Sequence, residues 1–236
     1  MSMGTVGVAP GTTTFTLANG DVIALVDWID DRYFSTIQLV NAQATPLEAF
    51  NVPLSQQIAG GTRPMTAVDT NIPRAGSNGL PQAYEMLIFS IQTELVRAVR
   101  PPTGLTQPVL GDGAGALSDL VRPETLFQIN RLVAITMKYR EKVYAEGVMT
   151  DFPQGHGYSL FSTASDFSVG QNGIVSPRDR NAMVLPVRLQ ENLSFKVSWS
   201  PAAALGVAQP ASDGGAVLGF VDGKTTFSGL IKRPVV

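Results

Sequence analysis

An antiparallel all-β sandwich is the fold this sequence predicts, and three observations carry the prediction. The clearest amphipathic runs alternate with period two, as half-buried strands require. The 16 prolines and 23 glycines gather in long crossings between those runs, unlike the regular punctuation of βαβ units. The 236 residues contain no cysteine, yet are enough to bury a substantial core without crosslinks.

Taken in order, Thr13 to Leu17, Val22 to Trp28 and Tyr33 to Val40 are β-rich runs separated by Asn19-Gly20 and by Asp30-Asp31, which predicts a meander. A short helix is expected at Pro46 to Phe50, and another at Leu117 to Val121 or Pro123 to Ile129, where Ser118 or Pro123-Glu124 can begin a turn. Tyr84 to Val99 fits both periods: Leu87, Phe89, Ile91 and Leu95 suit a strand, while Leu87, Ile91, Leu95 and Val99 suit a helix. The strand is preferred.

Arg131 to Glu146 sets Val133, Ile135, Met137, Tyr139 and Val143 against Thr136, Lys138, Arg140 and Lys142, predicting one long strand bent near Glu141. Val184 to Leu189 is an apolar run. Beyond it Leu193, Phe195, Val197 and Trp199 alternate with Ser194, Lys196 and Ser198, and the intervening Gln190, Glu191 and Asn192 suit a hairpin turn. Ala216 to Val221 and Thr225 to Ile231 flank Asp222-Gly223, which predicts a tight type I′ hairpin with positive φ at Gly223. Pro234 then ends the pairing. Gly, Pro and Ser-rich excursions run over Ala59 to Gln82, Pro101 to Gly115, Thr163 to Arg180 and Pro201 to Gly215. Long ordered loops serve as lids in an enzyme or as reaches toward neighbouring subunits in an assembly.

The absence of cysteine removes disulfides, thiolate zinc sites, iron–sulfur clusters and cysteine nucleophiles. With 17 basic and 19 acidic residues and no block of like charge, the chain has no nucleic-acid arm. Only 15% of residues are charged, against roughly 25% in an average soluble domain. A surface so poor in charge suits extensive contact with partners, although Thr, Ser, Gln and Asn also solvate a monomer. No run reaches the roughly 20 apolar residues of a spanning helix, and Met1 to Gly11 lacks the basic and apolar regions of a signal peptide, so an unprocessed soluble protein is expected.

The single histidine, His156, lies in Phe152-Pro153-Gln154-Gly155-His156-Gly157, near the hydroxyls of Ser159, Ser162, Thr163 and Ser165. No Gly-x-Ser-x-Gly elbow accompanies it, so a structural loop histidine beside a sharp turn is preferred to a catalytic one. Asp27, Asp30 and Asp31 form the densest acidic cluster, but their spacing matches no EF-hand loop and a solvated turn is the simpler reading. Gly111-Asp112-Gly113-Ala114-Gly115 lacks both the Walker ending and the dinucleotide spacing, and reads as a loop. The sequon Asn192-Leu193-Ser194 is discounted in a chain without a secretion signal. Lys138, Arg140 and Lys142, with Arg131 nearby, make a basic row that is solvated by default or meets acidic groups of a neighbour. No catalytic, cofactor or metal residue is assigned from these patterns.

The alternating strands, the Gly/Pro-rich crossings and the closing segment Thr226-Phe227-Ser228-Gly229-Leu230-Ile231-Lys232-Arg233-Pro234 together resemble small jelly-roll capsid proteins of icosahedral bacteriophages. The resemblance implies two facing antiparallel sheets with strand orders BIDG and CHEF, and subunits in rings or trimers that touch through their loops. It also implies a virion subunit assembled in the host cytoplasm, with copies of itself and other virion proteins as partners. Physically, a jelly roll shares one core between two sheets and limits exposed edges. The expectation is a single domain over 1–236 with an extended N-terminal segment. The alternative is a compact double jelly roll, or two small sandwiches split near 101–123. Removal of Met1 to Gly11 is expected to leave the sandwich folded and to impair the complete particle. Competing roles are a spike, tail or cement protein, or a carbohydrate-binding or hydrolytic β-sandwich, for which Trp28 beside Asp27 and Asp30 is the one hint.

Overall fold

A computed structural model of the chain describes residues 14–16, 20, 22–24, 27–72, 79–99, 129–153, 155–156, 159–162, 168–171, 174–175, 182–205 and 220–233. Among these the strands are β1 (Thr14–Thr16), β2 (Val22–Ala24), β3 (Trp28–Val40), β4 (Leu47–Ala49), β5 (Glu85–Val99), β6 (Val133–Tyr139) and β7 (Lys142–Val148). They continue with β8 (Gly155–His156), β9 (Ser159–Ser162), β10 (Ser168–Gln171), β11 (Ile174–Val175), β12 (Ala182–Leu189), β13 (Phe195–Pro201) and β14 (Phe220–Lys232).

Eight of these strands make two four-stranded antiparallel sheets, ordered β12-β5-β14-β3 and β4-β13-β6-β7. The inward alternation of each sheet fills one shared core. Tyr33, Ile37, Leu39, Met86, Ile88, Ile91, Val187, Val221, Phe227 and Ile231 come from the first sheet. Ala49, Val133, Ile135, Met137, Phe195, Val197 and Trp199 come from the second. The predicted all-β sandwich is therefore what the chain forms, and Tyr84 to Val99, ambiguous by period, is the strand β5.

Phe50 bridges the layers, stacking on Phe227 at 4.5 Å between ring centroids and tilting against Phe195 at 5.7 Å. Trp199 is fully buried, and its indole N–H donates to Thr225 Oγ1 at 2.9 Å across the sheets. Between β7 and β12, the pairs β8–β11 and β9–β10 share one register, running from Gly155↔Val175 to Ser162↔Ser168.

Five local expectations are corrected, four of them because a long-range ladder overrides a local preference. Asp30-Asp31 is no turn: both residues lie inside β3, opposite Leu230 and Gly229 of β14 in an uninterrupted thirteen-pair ladder. Pro46 to Phe50 is not helical, because Leu47–Ala49 pairs with β13. The long strand over Arg131 to Glu146 is a helical turn at 129–132 followed by the hairpin of β6 and β7. Its two-residue turn holds Arg140 at φ 54°, in the left-handed region.

Gln190 to Asn192 does not close a hairpin. β12 pairs with β5 whereas β13 pairs with β4 and β6, so this segment carries the chain from one sheet to the other. It is anchored by the Asn192 N–H on Leu80 O at 2.9 Å. Lastly, Asp222-Gly223 is mid-strand in β14, and positive φ among the described glycines is confined to Gly20 and Gly60. Gly223 has another reason to be glycine: a Cβ there would lie 2.7 Å from Cζ3 of Trp199. The glycine-rich segments 111–115 and 206–215 and residues 1–13 lie outside the described residues, as does the helix expected at Leu117 to Val121 or Pro123 to Ile129 except for Ile129, which opens the helical turn at 129–132.

Candidate functional site

The outward face of the first sheet carries the densest polar construction among the described residues. β3 is an edge strand, and the chain covers that edge itself with the loop over 54–72. The N–H groups of Thr36 and Gln38 bond Asp69 O at 2.9 Å and Ala59 O at 2.8 Å. Asn71 accepts from the Phe34 N–H at 2.8 Å and donates to Arg32 O at 2.6 Å. Gly60 permits this approach, because it sits at φ 82° and a Cβ there would meet Gln38 O at 2.1 Å. Such cover removes the free edge that invites uncontrolled strand pairing.

Along β14 the outward positions run Asp222, Lys224, Thr226, Ser228 and Leu230, with a different environment at each end. At the Asp222 end, Arg63 from the covering loop grips Asp69 through both terminal nitrogens at 2.6 and 2.7 Å and Asp222 at 3.0 Å. Gln38 donates to the other oxygen of Asp222 at 3.0 Å. Burial on its own would raise the Asp69 carboxyl, but hydrogen bonds from Arg63 and from the Thr66 hydroxyl and N–H outweigh it and hold the group at about 2. The bond to Asp69 correspondingly pushes Arg63 above its usual range. At the Leu230 end, Leu230 joins Leu87, Phe89, Trp28 and Ile23 of the β1–β2 hairpin in a small second core.

Between the two ends lies a cleft of about 540 Å³ lined by Asp30, Asp31, Arg32, Phe34, Asn71, Gln92, Glu94, Lys224, Thr226 and Ser228. Its floor follows the register: Arg32, Ser228 and Ser90 lie in one cross-strand row, Phe34, Thr226 and Gln92 in the next. Lys224 pairs with Glu94 at 3.3 Å and lies 4.5 Å over the Phe34 ring. Arg233 pairs with Asp31.

Of the residues singled out by sequence, Asp30 and Asp31 line this cleft, while Trp28 packs into the small second core. Asp27 is exposed, and no group of three His, Cys, Asp or Glu gathers among the described residues. His156 is in the short strand β8 rather than an irregular loop, its backbone opposite Ile174. Lys138 is exposed on the outward face of the second sheet, but Arg140 falls in the hairpin turn beyond it, so the predicted row is split. Arg140 packs over Tyr139 at 5.6 Å and Lys142 over Tyr144 at 5.1 Å.

Sequence reasoning missed Arg63, Asp69 and Asp222, as well as most of the cleft. The polar rows Ser90, Gln92, Glu94 and Lys224, Thr226, Ser228 were the available signal, since each repeats every second residue. The fold and this face define an antiparallel β-sandwich with one elaborated outer surface. Compared with protein-family models and with curated proteins, the chain matches none.

Proposed function

We propose that the chain is a structural subunit of an icosahedral virion shell, built as a single jelly roll that works by fitting against copies of itself and other virion proteins. The strand order is the observation that carries this reading. Lettering the eight sandwich strands B to I in chain order turns β3-β14-β5-β12 into B-I-D-G and β4-β13-β6-β7 into C-H-E-F. That is the arrangement expected of the jelly-roll capsid proteins the sequence resembles, and of the seven steps between successive sandwich strands all but the one from β6 to β7 change sheet.

The distribution of exposed apolar side chains supports lateral packing. Leu185 is on the edge strand β12, Val143 and Tyr144 on the edge strand β7, Ile29 on the edge strand β3, and Leu54 and Val68 on the loop covering β3. Val68 is 84% exposed at a loop tip, a position with no role in the chain's own core. Contacts through loops and edges leave the two faces of the sandwich for the inside and outside of a shell.

Light scattering and negative-stain microscopy of the full-length protein, alone and with its natural co-assembling proteins, test the proposal. Closed particles of many copies are expected. A chain that stays monomeric at high concentration under both conditions would overturn it.

A further inference from the structure

We propose that the cleft on the outward face of the first sheet is a binding site for a short neutral oligosaccharide. The argument begins at Ser228. Its side chain lines the cleft, the residue is only 6% exposed, and its Oγ is buried without a hydrogen-bond partner. Buried polar side-chain atoms are almost always paired, and leaving one unpaired costs about 1–3 kcal/mol. Nothing in the described chain answers that hydroxyl, and a ligand group seated in the cleft would be the one to do so.

The surrounding groups define that partner's chemistry. Thr226 and Gln92, at 7% and 4% exposure, stand beside Ser228 in the next cross-strand row. With Asp30, Glu94 and Arg32 they offer hydroxyl, amide, carboxylate and guanidinium groups within one cleft, donors and acceptors together. The charges balance: Asp30, Asp31 and Glu94 face Arg32, Lys224 and the Arg233 bound to Asp31. Such a field favours neither an anion nor a cation. A polar lining of this kind also disfavours apolar small molecules, whose sites are mainly hydrophobic.

A peptide strand fits less well, because it recognises main-chain groups at a free sheet edge. The cleft floor is the face of β14, whose main chain is already laddered on both sides to β3 and β5. What the floor presents is side chains spaced two residues apart, roughly 6–7 Å along each strand. That spacing suits the separated hydroxyls of linked sugar rings.

The test is a glycan array probed with the full-length protein and with Ser228→Ala and Asp30→Asn, followed by calorimetric titration of any oligosaccharide retained. A neutral oligosaccharide should be retained, and each substitution should weaken it by about tenfold or more. Ser228→Ala should melt no lower than the parent, because it removes an unpaired buried hydroxyl, whereas a purely structural serine would lower the melting temperature. A blank array, retention confined to sulfated or sialylated glycans, retention of peptides alone, or equal binding by both variants would overturn the proposal. Particle formation, read separately by sedimentation, is independent of this outcome.

Discussion

Seven outward polar side chains of the first sheet, Thr36, Gln38, Ser90, Gln92, Asp222, Thr226 and Ser228, are buried, whereas Lys138 and Lys196 on the second sheet stand in water. Both sheets have the same alternation and share the same core. The difference lies in what covers them: the loop over 54–72 and the β1–β2 hairpin close over the first sheet. Alternation thus separates inward from outward positions, but whether an outward position is wet depends on distant chain. Covered polar groups need partners, which is why the Arg63 cluster is on the first sheet, whereas the ion pair found among the described residues of the second, Lys196 with Glu48, is exposed.

The largest effect is expected where the two sheets meet, since a defect there must cost both alike. Trp199→Ala removes a fully buried indole and its bond to Thr225, and should destabilise by about 3–5 kcal/mol. Gly223→Val, which thrusts a branched side chain into the space of that indole, should cost about 3 kcal/mol. The double variant should lose less than the sum of the two, because the valine fills part of the cavity left by the tryptophan. Urea unfolding of all three proteins measures the coupling, and strict additivity would mean the two residues do not compete for that space.

A smaller loss is expected on the covered outer face. Arg63→Met removes the guanidinium that pairs with the buried carboxylates of Asp69 and Asp222, and should cost about 2–3 kcal/mol at pH 7. Acid sharpens the comparison. The Asp69 carboxyl titrates at about 2 in the folded protein against a usual 3.8, so the unfolded chain takes up the proton first. Its contribution is complete above about pH 4 and is lost as the pH falls through 2. In Arg63→Met the folded value moves up toward the unfolded one, so the urea midpoint should change less between pH 4 and 2 than in the parent. An equally steep acid loss in both proteins would remove Arg63 as the cause.

How much of this was legible in the sequence follows from the same distinction. The period-two runs gave the inward residues of β6 and β13 correctly, because Val133, Ile135, Met137, Phe195, Val197 and Trp199 need only their own alternation to be recognised. Turns were less readable. Asp30-Asp31 and Asp222-Gly223 are strong local turn pairs, yet both are overridden by the long β3–β14 ladder, whose partners are almost two hundred residues apart. Gly223 was correctly singled out for the wrong reason: what demands a glycine is an indole on the other sheet, not a backbone angle. The cleft was half-visible. Asp30 drew attention as part of an acidic cluster, but Ser228, Thr226 and Gln92 look like any solvated strand face until the covering loop and hairpin are in place.

The smallest effect is expected on the open face of the second sheet, and that is what makes it informative. Lys196 lies 2.5 Å from Glu48, with side-chain exposures of 45% and 32%, and stands directly opposite Lys138 in the β13–β6 register. Lys196→Ala deletes an exposed ion pair worth little in water and at the same time relieves a like-charge cross-strand neighbour, so the two terms oppose each other. The unfolding free energy from urea titration should therefore change by no more than about 0.5 kcal/mol, with little dependence on added salt. A loss near the 2–3 kcal/mol expected for Arg63→Met would place this pair in a shielded environment like that of the first sheet. Should the proposed closed particles form, an unchanged melt with a lower particle yield would mean that Lys196 instead meets its partner on a neighbouring copy.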